Sequence, residues 1–155
     1  MHRAYLSLGS NVGDRGEHLA AGVEIVIEKD IFRVSSVYET EPVGGGAQDD
    51  YWNIVVELTT SAGAYELLLR ARRAEEARGR VRAQRWGPRT LDVDVLLVGE
   101  ERSDDPEIVV PHPRMYERSF VLIPLHELAP ALVSEAQLGA GVGVVTRLGT
   151  LDSLH

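Results

Sequence analysis

Two spacings of apolar residues alternate along the first hundred positions. Ala4, Leu6 and Leu8 interleave with Tyr5 and Ser7, the period of two that predicts a strand over residues 3–9. Gly9-Ser10-Asn11 reads as the turn that ends it. Asp14 with Glu17 three residues on has the form of a capping box. Leu19, Val23, Val26 and Ile27 then give one apolar stripe of a helix reaching about Lys29. Alternation resumes from Phe32 through Tyr38, a second strand. Glu39 to Asp50 is polar and holds Gly44-Gly45-Gly46, a loop of the length that is functional or mobile. Tyr51 to Thr60 is a third strand. Ala64 to about Arg78 is a second helix with Leu67, Leu68, Ala71 and Ala74 inward. An arginine-rich loop, Gly79 to Arg89, leads into a fourth strand from Leu91 to Val98.

The order βαββαβ predicts an α+β protein, a ferredoxin-like sandwich of two helices on an antiparallel sheet, followed by a C-terminal extension. In that extension Glu107–Val110 reads as a short strand broken by Pro111-His112-Pro113. Met115 to Ala129 reads as mostly helical or turning, and Leu138 to Val145, with its glycines, as a late strand. No repeat or linker divides the 155 residues, so residues 1–155 are expected to form a single domain. The absence of cysteine excludes disulfides, thiolate metal sites and a cysteine nucleophile. The N-terminus has no apolar signal core and no stretch is long enough to span a bilayer, which predicts a cytoplasmic protein with no membrane partner.

Charge sharpens the picture. A net charge of −8 argues against a nucleic-acid partner. Yet seven of the 16 basic residues, all arginine, fall between Arg72 and Arg89. Guanidinium forks suit phosphate. Directly after them comes Leu91-Asp92-Val93-Asp94-Val95. Residues i and i+2 of a strand share a face, so Asp92 and Asp94 stand together, roughly 6.7 Å apart along the strand. Two carboxylates side by side call for a cation, and oxygen-only ligands suit Mg²⁺, which completes its shell with phosphate and water. Metal on one side and arginines on the other would clamp a polyphosphate, the arrangement phosphoryl transfer requires. There is no Walker A sequence. Tyr51 and Asn53 share a strand face too, a ring and an amide able to stack on a flat heterocycle and read its edge. Phe120 could add a second ring, and His112, between two prolines, a phosphate contact. Two other readings fit parts of this pattern. One is a metal-dependent nucleotidyl or glycosyl transferase using the same aspartate pair. The other is a non-catalytic phosphate- or RNA-binding module, against which the charge and the paired aspartates count.

Taken together, Leu8-Gly9-Ser10-Asn11, Ser35-Ser36-Val37-Tyr38-Glu39-Thr40, Asp50-Tyr51-Trp52-Asn53, Gly79-Arg80-Val81-Arg82, Arg85-Trp86-Gly87-Pro88-Arg89-Thr90-Leu91-Asp92-Val93-Asp94 and Val110-Pro111-His112-Pro113 resemble the 6-hydroxymethyl-7,8-dihydropterin pyrophosphokinase family. The resemblance runs from residue 4 to about residue 130 and is most specific from Arg85 to Asp94. It implies transfer of a pyrophosphoryl group from ATP to the hydroxymethyl-dihydropterin of folate synthesis, with ATP and the reduced pterin as partners; the protein is expected to act as a monomer. It implies two Mg²⁺ ions held with ATP by Asp92 and Asp94, and catalytic arginines at Arg80 and Arg89. The pterin site it implies is made by Thr40, Pro42, Val43, Tyr51, Asn53, Trp86 and Phe120, with Trp86 closing over it. Glu75, Arg82, Arg85, Val95, His112 and Arg118 match positions around ATP. Arg72, Glu107, Pro113 and Ala83 depart from the family pattern, which has glutamine, arginine, tyrosine and lysine there. The residues after Ala131 match poorly and receive no role.

Overall fold

A computed structural model describes residues 1–41, 49–79, 90–141 and 143–154. In chain order the elements are β1 (His2–Ser10), α1 (Arg15–Ile27), β2 (Ile31–Val34), β3 (Val37–Thr40), β4 (Tyr51–Thr60), α2 (Ala64–Ala77) and β5 (Asp92–Val98). A small hairpin follows, β6 (Ser103–Asp105) with β7 (Ile108–Val110), then α3 (Ser119–Leu128), α4 (Glu135–Ala140), β8 (Val145–Gly149) and α5 (Leu151–Leu154). The main sheet runs β5-β1-β4-β3-β8, with β2 also on β4, and every pairing in it is antiparallel. This is an α+β fold on an antiparallel sheet.

Strand periodicity sorts the core into two layers. Leu6 and Leu8 of β1, Ile54, Val56 and Leu58 of β4, and Val93 and Val95 of β5 face α1 and α2. Tyr5, Val55 and Leu96 face α3, whose Val121, Leu122 and Leu125 cover them. A bulge lets β5 serve both: Leu6 faces Val95 while Tyr5 faces Leu97, so Leu96 is the extra residue.

Three expectations change. Gly9 and Ser10 are strand residues, because β1 pairs with β4 as far as Ser10 and Trp52. The strand expected from Phe32 to Tyr38 is broken at Ser35-Ser36. Between Val34 facing Val56 and Tyr38 facing Asn53 one edge takes one residue more than the other. The Ser35 hydroxyl replaces one ladder bond there: its Oγ accepts from Val55 N–H at 2.9 Å and donates to Ser36 C=O. The late strand expected over 138–145 begins only at Val145, and α4 occupies the earlier part. Ser134 and Gln137 cap α4 reciprocally, a signal that outweighs its glycines. Asp14 caps α1 as expected, its Oδ1 accepting from Glu17 N–H at 3.1 Å.

Buried charges tie the layers together. Tyr5 donates to Glu57 at 2.8 Å, Arg33 grips the same carboxylate, and Arg33 also donates to Leu128 C=O at the end of α3. The Arg33 hydrogen bond holds the Glu57 carboxyl below its ordinary range, while burial and Glu57 push the Tyr5 phenol up to about 12. In the other layer Arg70 of α2, its side chain only 5% exposed, bonds Asp30 at 2.7 Å and Glu66 at 2.8 Å. It also donates to Val26 C=O at 3.0 Å, which stitches the end of α1 to α2. Arg70→Ala would leave Asp30 and that carbonyl without their partner. We expect a loss of about 3 kcal/mol in urea unfolding, the scale for breaking a buried pair, seen as a lower midpoint at unchanged slope. A loss below about 1 kcal/mol would mean water replaces the guanidinium.

Candidate active site

Directly opposed residues of paired strands point the same way. Across β1 and β5, Ser7 faces Asp94 and Gly9 faces Asp92. Across β1 and β4, Gly9 faces Asn53. Across β4 and β3, Asn53 faces Tyr38 and Tyr51 faces Thr40. The sheet therefore brings Asp92, Asp94, Asn53, Tyr51 and Thr40 onto one face, the α3 side, at the end where β1 finishes. With strands about 4.8 Å apart, the aspartates and the Asn53 region are separated by roughly 10 Å.

At the β4–β3 end the amide of Asn53 is oriented by its neighbours. Its Nδ2 donates to Thr40 Oγ1 at 3.0 Å and to Tyr38 C=O at 3.5 Å, so Oδ1 is the acceptor it offers. That oxygen lies over Gly9, where a Cβ would come within 2.8 Å of it and within 3.6 Å of the Tyr51 ring. Gly9 is a site residue that the turn reading missed. The available signal was an isolated glycine at the end of a strand pattern, which marks close approach.

At the β5 end Asp94 is exposed, its side chain 49% accessible, and His112 Nε2 stands 4.0 Å from its Oδ1. His112 is placed by two backbone bonds: its N–H donates to Leu96 C=O at 2.9 Å, and its Nδ1 accepts from Arg114 N–H at 3.2 Å. The neutral ring thus carries its proton on Nε2, toward Asp94. Burial is the main cause that pulls the His112 pKa below its ordinary value, with Asp94 opposing and Arg118 and Arg114 assisting. Glu75 is buried on α2 and accepts from Val93 N–H at 3.0 Å, binding the outer edge of β5. The Val95 side chain faces the helices, on the opposite face from the aspartates, so only its backbone lies at that edge. Arg118 precedes α3, its guanidinium 5.7 Å from the Phe120 ring, which is half-buried on the outer layer. Arg72 and Glu107 pair with each other at 3.4 Å, so two departures from the family pattern meet in space.

Two of the sequence pieces join at the mouth of the loop before β4. Asn11 donates to Asp49 C=O at 3.2 Å and Arg15 to Asp50 C=O at 2.7 Å. The Arg15 guanidinium stacks 4.6 Å from the Trp52 ring, and Trp52 Nε1 donates to Glu39 at 3.2 Å. Pro42 and Val43, and Arg80, Arg82, Arg85, Trp86 and Arg89, lie outside the described residues. Among the described residues no group of three or more His, Cys, Asp or Glu could hold a metal. A cation on the Asp92–Asp94 pair would therefore complete its shell with substrate and water oxygens, which is the habit of Mg²⁺.

The family model of 7,8-dihydro-6-hydroxymethylpterin-pyrophosphokinase matches residues 5–130. The chain belongs to this family. It is 45% identical over 136 residues to the 2-amino-4-hydroxy-6-hydroxymethyldihydropteridine pyrophosphokinase of Bacillus subtilis, covering 86% of this chain and 81% of that protein. The protein of the same name from Methylorubrum extorquens is 44% identical over 136 residues, 86% of each chain. That of Pseudomonas aeruginosa is 42% identical over 135 residues, 85% of this chain and 83% of the other. Membership in the pyrophosphokinase family decides among the three readings of the sequence in favour of the kinase.

The close approach at Gly9 is testable by itself. Gly9→Ala should cost about 1–3 kcal/mol, as overpacking does, and shift the side-chain NH₂ resonances of Asn53 in an otherwise native spectrum. Unmoved Asn53 resonances would show that the site tolerates a Cβ there.

Proposed function

We propose that the face shared by β5, β1, β4 and β3 carries out the transfer, with Asp92 and Asp94 holding Mg²⁺ and the ATP phosphates at one end and Tyr51, Asn53 and Thr40 holding the pterin at the other. The chain is a pyrophosphokinase of folate biosynthesis, moving pyrophosphate from ATP to hydroxymethyl-dihydropterin. The single observation that carries the assignment of residues is their register: one unbroken ladder puts carboxylates and heterocycle-reading groups on the same side.

The fold supports the reading. Counting β2 and β3 as one broken strand, the elements run βαββαβ in the order β5-β1-β4-β3, which we read as a ferredoxin-like sheet extended by β8. We take residues 1–155 as one domain acting as a monomer. In the site, Asn53 Oδ1 accepts from the amino edge of the ring, the Thr40 hydroxyl donates to it, and Tyr51 and Phe120 bracket its faces. His112 and Arg118 lie on the phosphate side, and Val95 offers backbone at the edge of β5. Glu75 acts by fixing that edge. Mg²⁺, two ions with ATP on the family's pattern, would neutralise the phosphates and polarise the β-phosphorus. The pterin hydroxymethyl oxygen forms a bond to that phosphorus and releases its proton to solvent as the bond from the β-phosphorus to the α,β-bridging oxygen breaks, and AMP leaves with that oxygen. Arg80 and Arg89 as catalytic groups, Arg82 and Arg85 on ATP, and Trp86, Pro42 and Val43 on the pterin follow from the resemblance.

Incubating the protein with Mg²⁺, ATP and the reduced pterin alcohol should yield AMP and the pterin diphosphate in equal amounts. Asp94→Asn should lower kcat by at least about a hundredfold, the scale of losing one preorganised electrostatic contact, with an unchanged circular dichroism spectrum. ADP as the product would contradict transfer at the β-phosphorus. Full activity of the Asp94 variant at ordinary Mg²⁺ would contradict the metal assignment.

A further inference from the structure

The family model ends at residue 130, yet the segment beyond it is built into the fold. It starts on the outer layer, where Leu138 of α4 packs with the α3 cluster. Gly141 then passes so close to the start of α3 that a Cβ there would sit 2.7 Å from Ser119 Oγ and 3.3 Å from its backbone nitrogen. From Val145 the chain runs along the edge of β3, with Val145 facing Thr40, Thr146 facing Glu39 and Arg147 facing Tyr38. Arg147 Nε donates to Ser36 Oγ at 3.1 Å, on the strand break. Past the sheet edge, Leu148, Leu151 and Leu154 pack against the inner cluster. The tail therefore turns round β3 from one layer to the other and leaves a side chain anchored in each.

That edge needs support. β3 has four residues and is cut off from β2 by the serine break. Without β8 this short strand would be the edge of the sheet, and such a strand opens at low free energy. On its outer face Glu127 of α3 helps by accepting from Ser36 N–H at 3.0 Å and from Tyr38 O–H at 2.6 Å. Its other edge is covered by β8. β3 also carries Thr40, which orients the amide of Asn53. If β3 frays, Asn53 loses its orienting partner. The aspartates stand on β5, at the opposite end of the sheet order.

We infer that the tail, through β8 and α5, is a strap that positions the acceptor end of the site, and so sets affinity for the pterin while leaving nucleotide affinity alone. This rests on the assignment of Thr40, Asn53 and Tyr51 to the pterin. A pterin that binds only the docked form of β3 is weakened in proportion to the undocked fraction.

The full chain is compared with two variants. Thr146→Pro/Arg147→Pro puts proline at adjacent strand positions, whose N–H groups point to opposite edges, so one of the two removes a β3–β8 hydrogen bond. Both side chains are exposed, so the core is left as it is. Leu151→Asp unseats α5 separately. Each protein is titrated calorimetrically with a non-hydrolysable ATP analogue and Mg²⁺, then with the reduced pterin alcohol in its presence. Hydrogen exchange is followed at the β3 amides. Both variants should bind the pterin about tenfold more weakly, as when the docked fraction falls to about a tenth, with faster exchange at Val37–Thr40 and nucleotide affinity within twofold of the full chain. Unchanged pterin affinity would overturn the strap. An equal loss for both ligands would also overturn it, since the tail would then stabilise the whole sheet. Failure of the unaltered chain to take up the pterin would instead overturn the acceptor-site assignment on which the strap stands.

Discussion

Register between β1 and its two neighbours is the constraint from which the site follows. β1 pairs with β4 on one side and β5 on the other, without a break over the stretch from Leu6 to Gly9. Because side chains alternate, a slip of one residue in β5 would turn Asp92 and Asp94 toward the helices and Val93 and Val95 toward solvent. The hydrophobic difference between those two arrangements is several buried side chains, each about 1.5–3 kcal/mol. The same burial that holds the sheet together therefore aims the carboxylates. The bulge at Leu96 comes only after the aspartates, so the change of phase serves the α3 layer and leaves the site undisturbed.

Charged networks hold the two helical layers to the sheet at places away from the aspartates. Arg70 fastens α1 to α2, and Arg33 with Glu57 fastens the end of α3 to β2 and β4. Glu127 fastens α3 to the strand break. What is left on the outer face, at the end where β1 finishes, is the stretch carrying Ser7, Gly9, Asn53 and the two aspartates, where Ser7 and Asn53 are buried and Asp94 is exposed. Arg15 and Asn11 anchor the chain entering β4 at Asp50 and Asp49.

Much of this was legible in the sequence because it depends on local periodicity. Alternation found β1, β4 and β5 to within a residue or two, the Asp14–Glu17 pair found the start of α1, and the phase of Asp92 and Asp94 followed from the strand. What escaped depends on partners distant in the chain. Nothing near Ser35-Ser36 says that Glu127 will receive its backbone, so the broken strand read as continuous. Gly9 looks like a turn glycine until Asn53 is laid beside it. β6 is made of Ser103, Asp104 and Asp105, with no apolar alternation to reveal it. The tail is rich in glycine and short of apolar residues, and only its pairing with β3 makes β8 a strand. Val95 shows the converse: the resemblance matches it to a position around ATP, but its side chain belongs to the core.

The central claim is that one sheet face holds the metal and phosphates at β5 and the heterocycle at β4 and β3. Replacing Mg²⁺ by paramagnetic Mn²⁺ in the complex with a non-hydrolysable ATP analogue, and recording the broadening of backbone amide resonances, tests it most directly. The account predicts that Asp92–Asp94 broaden first, followed by Ser7 and Gly9 on the facing strand, with Thr40 less affected and the effect lost in the Asp94→Asn protein. Broadening centred on another group of carboxylates, such as Glu28, Asp30 and Glu66 around Arg70, would contradict it.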